Sequence, residues 1–263
     1  MTPAPLATED SLAAIAATPR LLVALDFDGT LSPLEDEPMD ARMLPAARDA
    51  LEALVAVPDT FVALVSGRSL HDLRLIAEHA DDSRIYLAGS HGAEHWIPGE
   101  GAIEPQDDEG DVELRDRLRR EAEEATSDLE GIWIEPKTFG FGVHTRRADA
   151  ADADAANRRV DRIVEAEAPH WRRRTGHNIV EYAFRHEGKD TAVAALRERV
   201  GATAVLFAGD DVTDEDALRK LGPDDLGVHV GVRPTSARVS VRDIPAMADL
   251  LASLAAQRSH ARE

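Results

Sequence analysis

Apolar positions follow two rhythms along this chain. From residue 21 to 97, short apolar stretches, LLVAL (21–25), FVALVS (61–66) and IYLAG (85–89), alternate with stretches of helical period. In LPAARDALEALVAV (44–57), Leu44, Ala47, Leu51, Leu54 and Val55 share one helical face, and SLHDLRLIAEHA (69–80) repeats the pattern. Strands apolar on both faces and separated by helices predict a parallel sheet covered on both sides. The Gly- and acid-rich GEGAIEPQDDEGD (99–111) reads as a linker. Beyond it a charged helix at 111–129 precedes strands at 132–136 and 141–146, and a second at 148–168 precedes strands at 171–175 and 178–184. Phe139-Gly140 and Gly176-His177 signal the hairpins. From 188 the first rhythm returns, with helices at 189–200, 212–221 and near 244–257 and strands at 204–209 and 227–232. The expectation is one α/β core, residues 1–103 and 188–263, interrupted at 104–187 by an inserted α+β module of order αββαββ. Neither half of the core carries enough strands to close a sheet alone.

A chain of 263 residues, 43% hydrophobic and 30% charged, has the composition of an ordinary globular protein with a sizeable core. Its longest apolar runs are strand-sized, short of the roughly 18 residues a membrane span needs. The first twenty residues lack a basic leader, so no secretory signal is expected. There are no cysteines, which excludes disulfides, thiolate metal sites and a cysteine nucleophile. A cytoplasmic location is expected. A net charge of −20 argues against nucleic acid or an anionic membrane as partner. A small anionic substrate would need local positive groups, and the only lysines are Lys137, Lys189 and Lys220. The chain is expected to act as a monomer.

Ligands of open α/β sheets sit outside the carboxyl ends of the strands. Four groups fall there: Asp26-x-Asp28-Gly29-Thr30, Ser66-Gly67-Arg68, Gly188-Lys189, and Gly209-Asp210-Asp211-x-x-Asp214. Two adjacent carboxylates are unfavourable unless a cation shares the site. If the strand stays extended, Asp26 and Asp28 point the same way, one to attack phosphorus and the other to move a proton. Phosphoryl transfer also needs a divalent cation, and Mg²⁺ suits aspartates gathered from two strand ends. The plain alternative is an acidic Asp-Gly turn. An EF-hand is excluded because its obligatory glycine is Leu31. Asp210 reads as a metal ligand with Asp211 or Asp214 as second ligand or orienter, although helix capping explains acids at 214–216 equally well. Ser66 either caps the next helix or holds a phosphate. Lys189, in a first helical turn, opposes the helix dipole unless an anion sits beside it. The string is not a P-loop, since Asp190 follows the lysine. His91-Gly92-Ala93-Glu94-His95 matches a zinc-peptidase pattern, but the surrounding glycines and Pro98 break the helix that pattern requires. In the inserted module Glu135, Lys137, His144, Arg146 and Glu181 are expected on adjacent hairpin strands, where solvated charge is the plain reading. Aromatic content of 4% is too low for a nucleic-acid stacking platform.

These four strand-end groups, in this order, resemble the haloacid dehalogenase superfamily of aspartate-dependent phosphotransferases. Within it, Ser66-Gly67-Arg68, the LAGSHGAE string at 87–94, Glu135-Pro136-Lys137-Thr138 and the GDDVTDED string at 209–216 look like the trehalose-6-phosphate phosphatase family. The resemblance implies a Rossmann-like core with a parallel sheet and an α/β cap. It implies Asp26 as the nucleophile forming an aspartyl-phosphate and Asp28 as acid, then base. Mg²⁺ would be held by Asp26, the Asp28 backbone carbonyl and Asp210, with Asp211 and Asp214 nearby. Ser66 and Lys189, with Thr30 and Arg68, would hold the phosphate, and Glu135, Lys137, Arg146 and Glu181 would meet sugar hydroxyls as the cap closes. Departures from the family pattern at Asp190, Thr145 and Ala183-Phe184 bear on the sugar rather than the chemistry. Other glycosyl phosphates, of sucrose or of mannosyl- or glucosylglycerate type, remain alternatives, as does a catalytically silent phosphosugar-binding regulatory domain.

Overall fold

In the strand LLVAL every side chain is fully buried, because the strand has a separate core on each of its two faces. The computed structural model describes residues 8–103, 105–176 and 178–262. Helix α1 (Thr8–Ala16) leads to that strand, β1 (Leu21–Leu25), and then come α2 (Pro45–Ala56), β2 (Thr60–Val65), α3 (Leu70–Ile76), β3 (Tyr86–Gly89), β4 (Glu94–Ile97) and β5 (Gly101–Ile103). The inserted part follows as α4 (Glu109–Thr126), β6 (Trp133–Lys137), β7 (Gly140–His144), α5 (Ala150–Glu167), β8 (Arg172–Gly176) and β9 (Ile179–Ala183). The chain ends with α6 (Lys189–Val200), β10 (Ala204–Gly209), α7 (Glu215–Lys220), β11 (Leu226–Val230), β12 (Val239–Val241) and α8 (Ile244–His260). Two compact units result: Met1–Glu104 with Glu187–Glu263, and Pro105–His186.

The first unit holds an eight-stranded sheet of order β12-β11-β10-β1-β2-β3-β4-β5. Pairing is parallel from β12 to β3 and antiparallel at β4 and β5. Alternation along β1 sends Leu21, Val23 and Leu25 into a core shared with α1, α2 and α8, and Leu22 and Ala24 into one shared with α6 and α7. Each buried leucine or valine there contributes roughly 1.5–3 kcal/mol. The chain winds away from β1 in both directions, to β2 on one side and β10 on the other. The space beyond the ends of β1 and β10 is thus the topological switch point, where such sheets form a crevice.

The second unit has a four-stranded antiparallel sheet of order β6-β7-β9-β8. Alternation buries Phe141, Val143, Val180 and Tyr182 on one face, and α4 packs on β6, β7 and α5. Register places Glu135, Gly142, Glu181 and Arg174 in one row across the sheet. His177, expected in a hairpin turn, lies outside the described residues, as do residues 1–7 and Glu104.

Several local expectations are revised. The segment 99–111 is not only a linker, because Gly101–Ile103 pairs with β4, whose polar first half hides it from a hydrophobicity pattern. The helix expected to reach residue 80 stops at Ile76, and Glu78 adopts a left-handed φ of 51°. The helix expected at 212–221 opens as a 3-10 turn, Val212–Asp214. The three-residue β12 is too short to carry a periodic signal.

Candidate active site

Asp26 is the first residue past β1, and its N–H donates to the Ala208 carbonyl of β10 at 2.9 Å, so the strand's course carries its carboxylate to the switch point. Lys189, the first residue of α6, reaches the same place. Its Nζ donates to Asp26 Oδ1 and to Asp214 Oδ1, each at 2.6 Å, and all three side chains are at least nine-tenths buried. Carboxylate atoms of Asp26, Asp210 and Asp214 lie within 4.8 Å of one another. Three acids thus share one lysine. Burial, with Asp214 and Asp210 adding to it against Lys189, holds Asp26 well above the usual carboxylate range. Burial and then Asp214 push Asp210 up to about 7. Burial opposes the charge of Lys189, but Asp214 and Asp26 more than offset it and keep the ammonium protonated.

Two glycines make this crowding sterically feasible. Gly29 has a φ of +76°, and a Cβ there would lie 2.2 Å from Asp210 Oδ2. A Cβ on Gly209 would lie 2.2 Å from the Asp214 carboxyl carbon. The second oxygen of Asp214 is also engaged: Asp214 Oδ2 accepts from the Asp211 N–H at 3.0 Å. The Asp211 carboxylate is turned instead to Arg233 at 3.3 Å, outside the three-acid group.

Asp28 belongs to a different arrangement. Arg68 Nε donates to Asp28 Oδ2 at 2.6 Å and Arg68 Nη2 to Oδ1 at 2.7 Å, a two-pronged pair. The two carboxylates of Asp-x-Asp therefore have different anchors, Asp26 the Lys189 ammonium at the start of α6 and Asp28 the Arg68 guanidinium just past β2. Ser66 is 2% exposed and its Oγ accepts the Arg68 N–H at 3.1 Å, whereas the cap of α3 is Ser69, whose Oγ accepts from Asp72 N at 3.1 Å. Thr30 is fully buried, and its hydroxyl has no hydrogen-bond partner.

The string at 87–94 braces the Ser66–Arg68 loop. Ser90 N–H donates to the Arg68 carbonyl at 2.6 Å and His91 N–H to the Ser66 carbonyl at 2.9 Å. Glu94 Oε2 accepts from Ser90 Oγ at 2.5 Å and from Leu70 N–H at 3.1 Å. Ser90 and His91, with φ of 48° and 58°, are consecutive left-handed non-glycine residues, a strain that clusters at functional loops. The histidines of the zinc-peptidase pattern do not share a helical face: His91 lies in a 3-10 turn and His95 on β4.

In the second unit Glu135 Oε2 accepts from Lys137 Nζ at 2.9 Å and pairs with His144 Nε2 at 2.7 Å. Lys137 Nζ also lies 3.4 Å from Glu181 Oε1. Burial works against the Lys137 charge, yet Glu181 and Glu135 raise its pKa above the ordinary value. Burial likewise works against the Glu135 charge, and His144 with Lys137 lowers its pKa. The His144 ring stacks on Trp133 at 4.3 Å. Arg146, expected on a strand, instead follows the end of β7 and is exposed. The Arg68–Asp28 pair, the Glu94 brace and the His144–Glu135 bond were missed by sequence reasoning. Only the 87–94 string offered a signal, through its resemblance to a family motif.

A profile of the trehalose-phosphatase family ("Trehalose-phosphatase") matches residues 24–250. The chain is 31% identical to a trehalose-phosphate phosphatase of Mycobacterium ulcerans (strain Agy99) over 265 residues, covering 92% of this chain and 63% of that protein. It is 30% identical to the trehalose-phosphate phosphatase of Mycobacterium marinum (strain ATCC BAA-535 / M), with the same coverage. The chain thus spans 63% of the length of these two curated relatives. In fold it superposes on the C-terminal domain of C. albicans trehalose-6-phosphate phosphatase with a TM-score of 0.80, at 21% identity and covering 97% and 98% of the two chains. A family match across most of the chain identifies it: the chain belongs to the trehalose-phosphatase family.

Proposed function

We propose that this protein hydrolyses a sugar phosphate, trehalose 6-phosphate above all, to the free sugar and inorganic phosphate through an aspartyl-phosphate on Asp26. The observation that carries the reading is the buried Asp26 carboxylate, hydrogen-bonded to Lys189 and crowded by Asp210 and Asp214 at the switch point. Burying three acids around one lysine is costly unless a further cation joins them. The all-oxygen donor set fits a hard divalent ion. Asp26, Asp210 and the Asp28 backbone carbonyl would hold Mg²⁺, with Asp214 as orienter. When bound, Mg²⁺ supplies the charge that keeps these carboxylates ionised and offsets charge on the phosphoryl oxygens.

Asp26 forms the new bond to phosphorus as the bond to the sugar oxygen breaks. That oxygen keeps the electron pair and takes a proton from Asp28. Water then attacks phosphorus, gives its proton to the Asp28 carboxylate, and displaces the Asp26 oxygen to release phosphate. Ser66, Lys189 and the buried, unpartnered hydroxyl of Thr30 serve the transferring phosphoryl group. Glu135, Lys137, Glu181 and Arg146 supply the donors and acceptors that a polyhydroxylated sugar needs. The departures at Asp190, Thr145 and Ala183-Phe184 favour a second reading with the same chemistry on another glycosyl phosphate.

Phosphate release should be measured from trehalose 6-phosphate, other disaccharide and glycosylglycerate phosphates and glucose 6-phosphate, with Mg²⁺ and with a chelator. Mg²⁺-dependent turnover with trehalose 6-phosphate preferred is expected. Preference for another member would overturn the substrate, and no release from any would leave the silent binding domain in its place.

A further inference from the structure

We infer that Arg68 is a positioning residue for Asp28, and not a ligand of the transferring phosphate. The inference rests on the phosphatase reading above and deepens it. Its carrier is the two-pronged contact: Nε and Nη2 of Arg68 meet the two Asp28 oxygens at 2.6 and 2.7 Å. A guanidinium fork used in this way fixes a carboxylate in both direction and plane, which a single point charge does not.

The surroundings of the pair were built for holding. Arg68 is itself secured at both ends of its backbone, by its N–H to Ser66 Oγ at 3.1 Å and by its carbonyl from Ser90 N–H at 2.6 Å. The turn that supplies Ser90 is strained, with φ of 48° and 58° at Ser90 and His91, and is tied by Glu94 Oε2 to the Ser90 hydroxyl and the Leu70 N–H. A chain of contacts thus runs from Glu94 through Ser90 and Arg68 to Asp28. This gives the 87–94 string a role: it sets where Asp28 points.

In-line displacement at phosphorus puts nucleophile and leaving oxygen on opposite sides. The group that serves the leaving oxygen must therefore be held away from the nucleophile. Asp26 is tethered to Lys189 at the start of α6, and a separate group, Arg68 just past β2, tethers Asp28. Without that tether Asp28, two residues beyond Asp26 in a loop, loses the fixed orientation that proton transfer to the sugar oxygen requires.

The test compares two leaving groups in the pre-steady-state burst of leaving-group release, which reads formation of the aspartyl-phosphate alone, because Asp28 also serves the later hydrolysis common to both substrates. A sugar alkoxide leaves poorly without a proton, whereas an aryl oxide such as p-nitrophenolate leaves well without one. For Arg68→Ala, the burst rate on the sugar phosphate should fall about 100-fold, within the range general acid–base catalysis spans. On p-nitrophenyl phosphate the burst rate should fall several-fold at most, with KM for each substrate nearly constant. Asp28→Asn should show the same split, and Arg68→Ala added to Asp28→Asn should cost little more, since residues acting through one another are not additive. Arg68→Lys, which keeps the charge but not the fork, should resemble Arg68→Ala and guards against a folding artefact. Equal losses on both substrates, a raised KM for both, or full additivity with Asp28→Asn would overturn the inference and make Arg68 a phosphate ligand. A wild type inactive on both substrates would bring down the phosphatase reading itself, and this inference with it.

Discussion

Asp26 and Asp28 stand two positions apart, yet their surroundings give them opposite characters. Asp26 is buried beside a lysine and two further acids, whereas Asp28 is half-buried and held by a guanidinium. Asp26→Asn keeps the shape and an oxygen to accept from Lys189, so the fold should survive in circular dichroism while phosphate release drops by at least about 10³-fold. Asp210 allows a sign-specific check. Its carboxyl ionises at an ordinary 3.8 in the unfolded chain and at about 7 in the folded one. Its neutral form therefore favours folding below 3.8, and that contribution is lost as pH rises through 7. In urea denaturation of metal-free protein, Asp210→Asn should gain stability relative to wild type between pH 5 and 7.5, and a difference independent of pH would contradict the crowded centre. The strand-end positions of Asp26, Ser66 and Asp210 were legible because a buried strand followed by acid or hydroxyl is a local pattern, and Lys189 because a lysine in a first helical turn opposes the dipole. That Arg68 meets Asp28 was not, since 40 residues separate them and only the β1–β2 pairing brings them together.

Elements follow the same rule of local against long-range information. β1, β2, β10 and α6 were legible almost to the residue, because apolar runs flanked by helical period carry their own boundaries. β4, β5 and β12 were not, since their pairing comes from the partner strand and not from their own composition. The tie between α8 and the start of the sheet was equally hidden. Arg258, in the last turns of α8, is fully buried and donates to Thr60 Oγ1 at 2.6 Å and to the carbonyls of Ala16, Thr18 and Asp59 at 2.9, 2.8 and 2.7 Å. Burial lowers its pKa to about 10. Arg258→Leu would strand those acceptors and should cost about 3 kcal/mol in urea denaturation, while a loss under about 0.5 kcal/mol would show the ties to be dispensable.

At the scale of the whole molecule, a chain of net charge −20 is proposed to take an anionic substrate. The surrounding field repels what the local lysines attract, and salt screens the long-range repulsion more than the buried contacts. Raising ionic strength from low values should therefore increase kcat/KM on a sugar phosphate; a monotonic fall would mean that local positive charge dominates encounter. No helix among the described residues is long and apolar enough to cross a membrane. The central claim is that phosphorus passes through Asp26, and acid-quenched mass spectrometry during turnover of trehalose 6-phosphate tests it most directly. The account predicts a hydroxylamine-labile phosphoryl group on the peptide carrying Asp26, absent in Asp26→Asn. A phosphoryl group trapped on another residue, or undiminished turnover by Asp26→Asn, would contradict it.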